Sequence, residues 1–209
     1  MNNNFIKIIK IEPYKSRMLV TLDCDISFVL YKGEIKKFRL KEGDILDCDK
    51  LNAIYEVLYK RARERALYML DDSYKTKKQI VDKLILGKYP ENIINKVIEY
   101  LEEYNMINDF RYAMLYIEYK GESKSKIQII QDLYKKGIKK DTVDMAFEES
   151  EFSDKQSLKK IIKKKITKYN LEDKKELNKF YRFLLSKGYK YDDIKRELAL
   201  YNQSYNIFE

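Results

Sequence analysis

Two segments decide the reading of the fold: "LYKKGIKKDTV" at Leu133–Val143 and "LLSKGYKYDDI" at Leu184–Ile194. Each runs from a leucine to Lys-Gly, then a large apolar residue, then an aliphatic residue ten positions after the leucine. A third copy, "LILGKYPENII", starts at Leu84. The copies align as Leu84, Leu133 and Leu184, then Tyr89, Ile138 and Tyr189, then Ile94, Val143 and Ile194. Ile98, Phe147 and Leu198 follow, and Ile80, Ile129 and Phe180 stand four residues before each leucine. Apolar residues at such spacings occupy one face of a helix. Thr76-Lys-Lys-Gln79 and Ser125-Lys-Ile-Gln128 are S/T-x-x-Q capping boxes at the same offset, and the third copy has none there. Gly137 and Gly188 suit the left-handed position that ends a helix, while the first copy has Lys88 in that place and Gly87 one residue earlier.

Each unit therefore reads as helix, stop, large apolar residue, helix. A further helix precedes each pair, at Ala62–Leu70, Phe110–Tyr119 and Leu158–Tyr169. Three helices repeated three times predict a mostly α protein: a tandem array of three-helix repeats, elongated and curved. Asp49 is the expected N-cap of a long first helix carrying Leu51, Ile54, Leu58, Ala62 and Met69. The expected divisions are a β-rich segment over 1–48 and repeats over 49–107, 108–152 and 153–209.

The first fifty residues differ in kind. "RMLVTLDCDISFVLYKG" places Met18, Val20, Leu22 and Cys24 on alternate positions, with Ile26, Phe28 and Leu30 after an acidic turn. Period-two alternation broken by a turn predicts a β-hairpin. "FIKIIKI" before it and "EIKKFRL" after Gly33 are candidate strands, and together they predict a small antiparallel sheet. Such a sheet needs something to pack on.

Composition narrows the function. With 209 residues and 44% hydrophobic content the chain can bury a core, and no apolar run approaches a bilayer span. The N-terminal stretch lacks a signal peptide's apolar run, so a cytoplasmic protein with no membrane attachment is expected. Cys24 and Cys48 form no metal-type pair and read as reduced, half-buried thiols. There is no histidine, no Gly-rich phosphate loop and no recognisable nucleophile cluster, so no catalytic residue, metal or cofactor is expected.

The net charge of +9 is carried by Lys155–Leu200, which holds fifteen Lys and Arg against six Asp and Glu. Two readings of this stretch stand open: a face turned to a polyanion, or a solvated lysine surface in a chain whose 43 basic residues include only eight arginines. Within "SLKKIIKKKITKY", Lys160, Lys164 and Lys168 form a stripe about 12 Å long, flanked by Lys159 and Lys163. The nineteen tyrosines sit mostly at core spacing, as Tyr134 does beside Leu133.

"RALYML" at Arg65–Leu70, "NDFRYAMLYIEYK" at Asn108–Lys120 and "DLYKKGI" at Asp132–Ile138 together resemble the RecX family of recombinase regulators. The resemblance covers essentially the whole chain. It implies a non-enzymatic modulator that binds the RecA–DNA filament, touches neighbouring subunits, and restrains strand exchange, ATP turnover or filament growth, with DNA contacted through the filament or directly; a monomer is expected. In "NDFRYA", Asp109 is the expected cap and Phe110 and Ala113 the inward residues with Ile117. Arg111 and Tyr112 point elsewhere and are interaction candidates. Lys120, where the family often has arginine, joins them, as do Lys159, Lys160, Lys163, Lys164, Lys168, Arg182 and Arg196. The alternative is an architectural DNA-binding protein that acts without RecA.

Overall fold

A computed structural model describes residues 6–205. Four strands open it: β1 (Ile6–Tyr14), β2 (Arg17–Leu22), β3 (Ser27–Leu30) and β4 (Ile45–Leu46). They form one antiparallel sheet in the order β3-β2-β1-β4, with a register shift between Ile8 and Lys10. The hairpin falls where the alternation placed it: Val20 pairs with Phe28, and Val20, Leu22, Phe28 and Leu30 are buried. Phe5, the first residue of the expected leading strand, lies outside the described residues.

"EIKKFRL" is not a strand. Lys32–Lys37 form helix α1, because the Glu34 carboxylate turns back to accept the Tyr31 backbone N–H at 2.8 Å and closes the first turn. Arg61 holds that turn down. It pairs with Glu34, donates to the Val29 carbonyl at 3.2 Å, and lies over the Tyr31 ring at 4.7 Å. Both cysteines are free and exposed rather than half-buried. The inward alternation ends at Leu22, which leaves Cys24 in the hairpin turn, and Cys48 is the first residue of the next helix.

Among the described residues nine α-helices follow in three triplets: α2 (Cys48–Asp72), α3 (Lys77–Leu86) and α4 (Glu91–Glu103); α5 (Asp109–Gly121), α6 (Lys126–Lys135) and α7 (Lys140–Glu149); α8 (Asp154–Lys165), α9 (Lys174–Ser186) and α10 (Tyr191–Tyr205). No strand lies beyond β4 among the described residues. Helix α2 is capped by Asp47, not Asp49: the Asp47 carboxylate accepts the Lys50 N–H at 2.7 Å, and Asp49 sits in the first turn, where the helix dipole also favours it. Asp109 likewise begins α5 from inside the helix. Ala113 and Ile117 are buried, with Phe110 packed half-buried beside them.

All fifteen residues of the five aligned columns are buried. The stop repeats as well. The N–H groups of Tyr89, Ile138 and Tyr189 reach back to the carbonyls of Leu84, Leu133 and Leu184, and those of Lys88, Gly137 and Gly188 to Ile85, Tyr134 and Leu185. This pair of bonds closes a helix through a left-handed residue. Gly137 (φ 84°) and Gly188 (φ 88°) supply it freely, whereas Lys88 adopts φ 61° at the cost of its Cβ. Tyr134 departs from expectation and is exposed. One position on from buried Leu133, it is turned about 100° around the helix axis.

The chain divides into two compact units, Met1–Asn108 and Asp109–Glu209. In the first, the sheet and α2–α4 share one apolar core. The second contains two apolar cores, one around Leu133 and Phe147 and the other around Leu158, Phe180 and Leu184.

Candidate functional site

Helix α8 carries the densest group of expected contact residues. Ser153 caps it by accepting the Gln156 N–H, and Leu158, Ile161 and Ile162 bury one side against α9 and α10. The remaining surface is lysine. The α-helix stops at Lys165 and continues as a 3₁₀ turn over Ile166–Lys168, so Lys168 leaves the i, i+4 stripe that Lys160 and Lys164 begin. The tighter turn eclipses side chains three residues apart and breaks the four-residue spacing.

The lysines border two different neighbourhoods within the second unit. Lys159 and Lys163 border α10, where a 260 Å³ cavity is lined by both, with Ile162, Glu197, Leu200 and Tyr201. Glu197 is only 5% exposed, and its Oε1 accepts no hydrogen bond. The ammonium groups of Lys155 and Lys159 stand 3.9 Å from its two oxygens, one on each. A buried carboxylate needs such counter-charge, so Glu197 restrains two lysines of the face. On the other side, Lys160 and Lys164 line a 420 Å³ groove with Lys165, Lys187, Phe183 and Ser123. Lys160 is bound there to Glu122 at 2.6 Å, which holds the Glu122 carboxyl below its ordinary value through that hydrogen bond.

The other candidates are dispersed. Arg111 is exposed on α5. Tyr112 stacks on Tyr116 at 6.1 Å, with the Lys136 ammonium 5.7 Å from its ring. Lys120 lies 4.3 Å over Tyr119. Arg182 is exposed on α9, and Arg196 stands 3.8 Å from Asp193 on α10. Four of the ten candidates thus gather on α8.

Sequence reasoning missed Lys155, Lys165, Lys187, Glu122 and Glu197. For Glu197 the signal was present: one position before the Ile98, Phe147 and Leu198 column stand Val97, Ala146 and Glu197, the first two buried and apolar. A carboxylate in an otherwise apolar column marks a special site. Lys187 precedes the repeated glycine and was equally visible. Lys155, Lys165 and Glu122 had no comparable mark.

The second unit is stitched at its middle. Ser157 donates to the Lys124 carbonyl at 2.8 Å and accepts from the Tyr189 hydroxyl at 2.8 Å. Burial pushes the Tyr189 phenol up to about 12, partly offset by the Ser157 hydrogen bond, with Asp154 adding to the rise, so it stays protonated and able to donate. Ser125 donates to the Lys187 carbonyl, and the Asp154 carboxylate accepts the Lys126 N–H at 2.7 Å. A Cβ on Gly188 would stand 3.2 Å from Ile127 Cβ and from Ser125 Oγ, so this glycine serves packing as well as the helix stop. No group of three or more potential metal ligands, and no helix long and apolar enough to cross a membrane, occurs among the described residues.

Three triplets with the same buried columns and the same stop define a tandem three-helix repeat protein. Residues 62–101 match the model for the first three-helix domain of RecX and residues 153–198 that for the third. A regulatory protein RecX from Clostridium botulinum is 36% identical over 201 residues, covering 90% of this chain and 93% of the relative. One from Clostridium tetani is 35% identical over 92% and 93%. Among solved structures, RecX from Lactobacillus salivarius superposes with a TM-score of 0.62 at 26% identity, covering 71% of this chain and 99% of that one. A further crystal structure of regulatory protein RecX gives 0.60 at 26% identity, covering 91% and 99%. The chain belongs to the RecX family of regulatory proteins.

Proposed function

We propose that this chain binds the RecA–DNA filament and lowers its ATP hydrolysis and strand exchange, turning over no substrate itself and working in the cytoplasm. The observation that carries the reading is the basic α8 face inside a RecX-family repeat array. Lysines bordering both the α10 cavity and the α9 groove suit a surface that meets phosphates beside protein. The repeats over 49–107, 108–152 and 153–209 act as successive contact modules. Several weak contacts reinforce one another once the first has docked. The test is RecA ATP hydrolysis and strand exchange on single-stranded DNA as the chain is titrated in. Both should fall with added chain, and unchanged rates at saturating chain would overturn the proposal.

A second reading, direct DNA binding independent of RecA, is favoured by the groove where Lys164, Lys165 and Lys187 surround Phe183. Cationic side chains tracking a backbone beside an aromatic ring are what a single strand needs. Its mark is a steep fall of affinity with salt on naked DNA.

A further inference from the structure

One surface of the second unit has the opposite character to the lysine face. Between α5, α8 and the segment after α7 lies a groove of about 510 Å³. Its floor is apolar: Met114, Leu115, Ile117 and Phe152. Phe152 is fixed there from two sides, edge-on against Phe147 at 5.4 Å and over Gly121, where a Cβ would come within 3.0 Å of its ring. Gly121 thus has a packing reason to lack a side chain.

The rim is acidic. Glu118, Glu122, Glu149 and Glu151 line it, and the sole cation among the described lining residues is Lys160, already engaged by Glu122. With the Glu122–Lys160 pair set aside, Glu118, Glu149 and Glu151 still leave the rim negative in a chain of net charge +9. A polyanion is repelled from this rim, so the groove and the basic α8 face address different chemistry.

We propose that this groove docks a partner protein through a basic segment in which a large apolar side chain is flanked by arginines. The apolar anchor fills the floor beside Phe152, where burial of one large side chain supplies most of the affinity. The flanking guanidiniums fork onto the rim carboxylates, a geometry arginine fits better than lysine. The proposal rests on the groove alone and not on the filament reading, so inhibition of RecA can fail without touching it.

The probe is a labelled peptide of about twelve residues, carrying Leu and Phe one helical turn apart among arginines. Its control replaces both apolar residues with alanine at the same charge. Anisotropy with the full chain at about 0.1 M salt, where surface attraction is damped, should show saturable binding of the first peptide and at least about tenfold weaker binding of the control. With methyl-labelled methionine, the Met114 resonance should move on binding while Met18 and Met69 stay in place. Glu118→Lys with Glu151→Lys should weaken binding by about tenfold or more, and the milder Glu118→Gln with Glu151→Gln should do so in the same direction if the lysine variant fails to fold. Equal binding by the alanine peptide, an unmoved Met114, or no binding at all overturns the proposal. Concentration-dependent dimers of the chain, abolished by the lysine variant, would make the occupant a second copy and overturn it too.

Discussion

In the first unit, Leu46 of the sheet, Leu58 of α2 and Leu84 of α3 belong to one continuous apolar core, whereas in the second Leu133 and Leu184 stand in separate cores. The joint between those two cores is polar. Ser125, Asp154 and Ser157 bond to backbone groups across it, and Tyr189 completes the set. Apolar burial is non-directional and holds wherever surfaces fit. Hydrogen bonds across a seam hold only in one geometry, and leaving one unmade costs more than making it gains. The second unit therefore exchanges some adhesive strength for a defined angle between its helix triplets, and the α8 lysines and the acidic groove both sit beside that joint.

The separation of cores is the first thing to break. Leu184→Ala should remove about 3 kcal/mol from the α8–α10 triplet, the usual range for a fully buried leucine. Hydrogen exchange should then speed up in α8–α10 while α5–α7 keep their protection. Equal loss of protection in α5–α7 and α8–α10 would show that the two cores are not separate.

Ser157→Ala attacks the seam directly. It leaves the Lys124 carbonyl and the buried Tyr189 hydroxyl without their partner, at a cost of roughly 2 kcal/mol. Denaturant unfolding followed by tyrosine fluorescence reads the loss. A cost below about 0.5 kcal/mol would mean that the seam contributes no more than an ordinary surface substitution.

A smaller effect, of opposite sign, belongs to the first unit. Lys88→Gly should stabilise it by up to about 1 kcal/mol, because the left-handed backbone there carries a Cβ penalty that Gly137 and Gly188 avoid. No gain in thermal midpoint would mean that the Lys88 side chain returns as much as the strain takes.

The least effect should come on acidification. Burial alone raises the Asp132 carboxyl, but hydrogen bonds from Lys124 and the Tyr116 hydroxyl (2.9 Å) outweigh it and hold the group below its ordinary value of 3.8. A depressed folded-state value gives stability that is present above the unfolded value and lost as pH falls through the folded one. The second unit should lose that contribution below about pH 3.8, and Asp132→Asn should flatten that part of the acid-unfolding curve. An identical acid limb in the variant would remove Asp132 from the account.

The repeat was legible because burial selects side chains by type at fixed spacing, so the fifteen column residues carry the fold in plain view. The helical α1 was not, since its stability comes from Glu34 and from Arg61, twenty-seven residues further on. Period alone cannot see a cap supplied from elsewhere. The seam was equally hidden: serines bonding to backbone carbonyls leave no periodic trace. Of the contact candidates, the α8 lysines were visible as a stripe, but their division between Glu197 and Glu122 depends on the helices packed alongside. Lys168 was misplaced because a 3₁₀ turn differs from the preceding helix in rotation and not in composition.

Most direct for the central claim is binding of the labelled chain to three targets at two salt concentrations: RecA filaments on single-stranded DNA, RecA alone, and the naked strand. The expected result is tightest binding to the filament, weakened by Lys160→Glu with Lys164→Glu in a chain that still folds. Equal affinity for filament and naked strand, with the same steep salt dependence, would contradict a filament-directed regulator and leave a DNA-binding protein in its place.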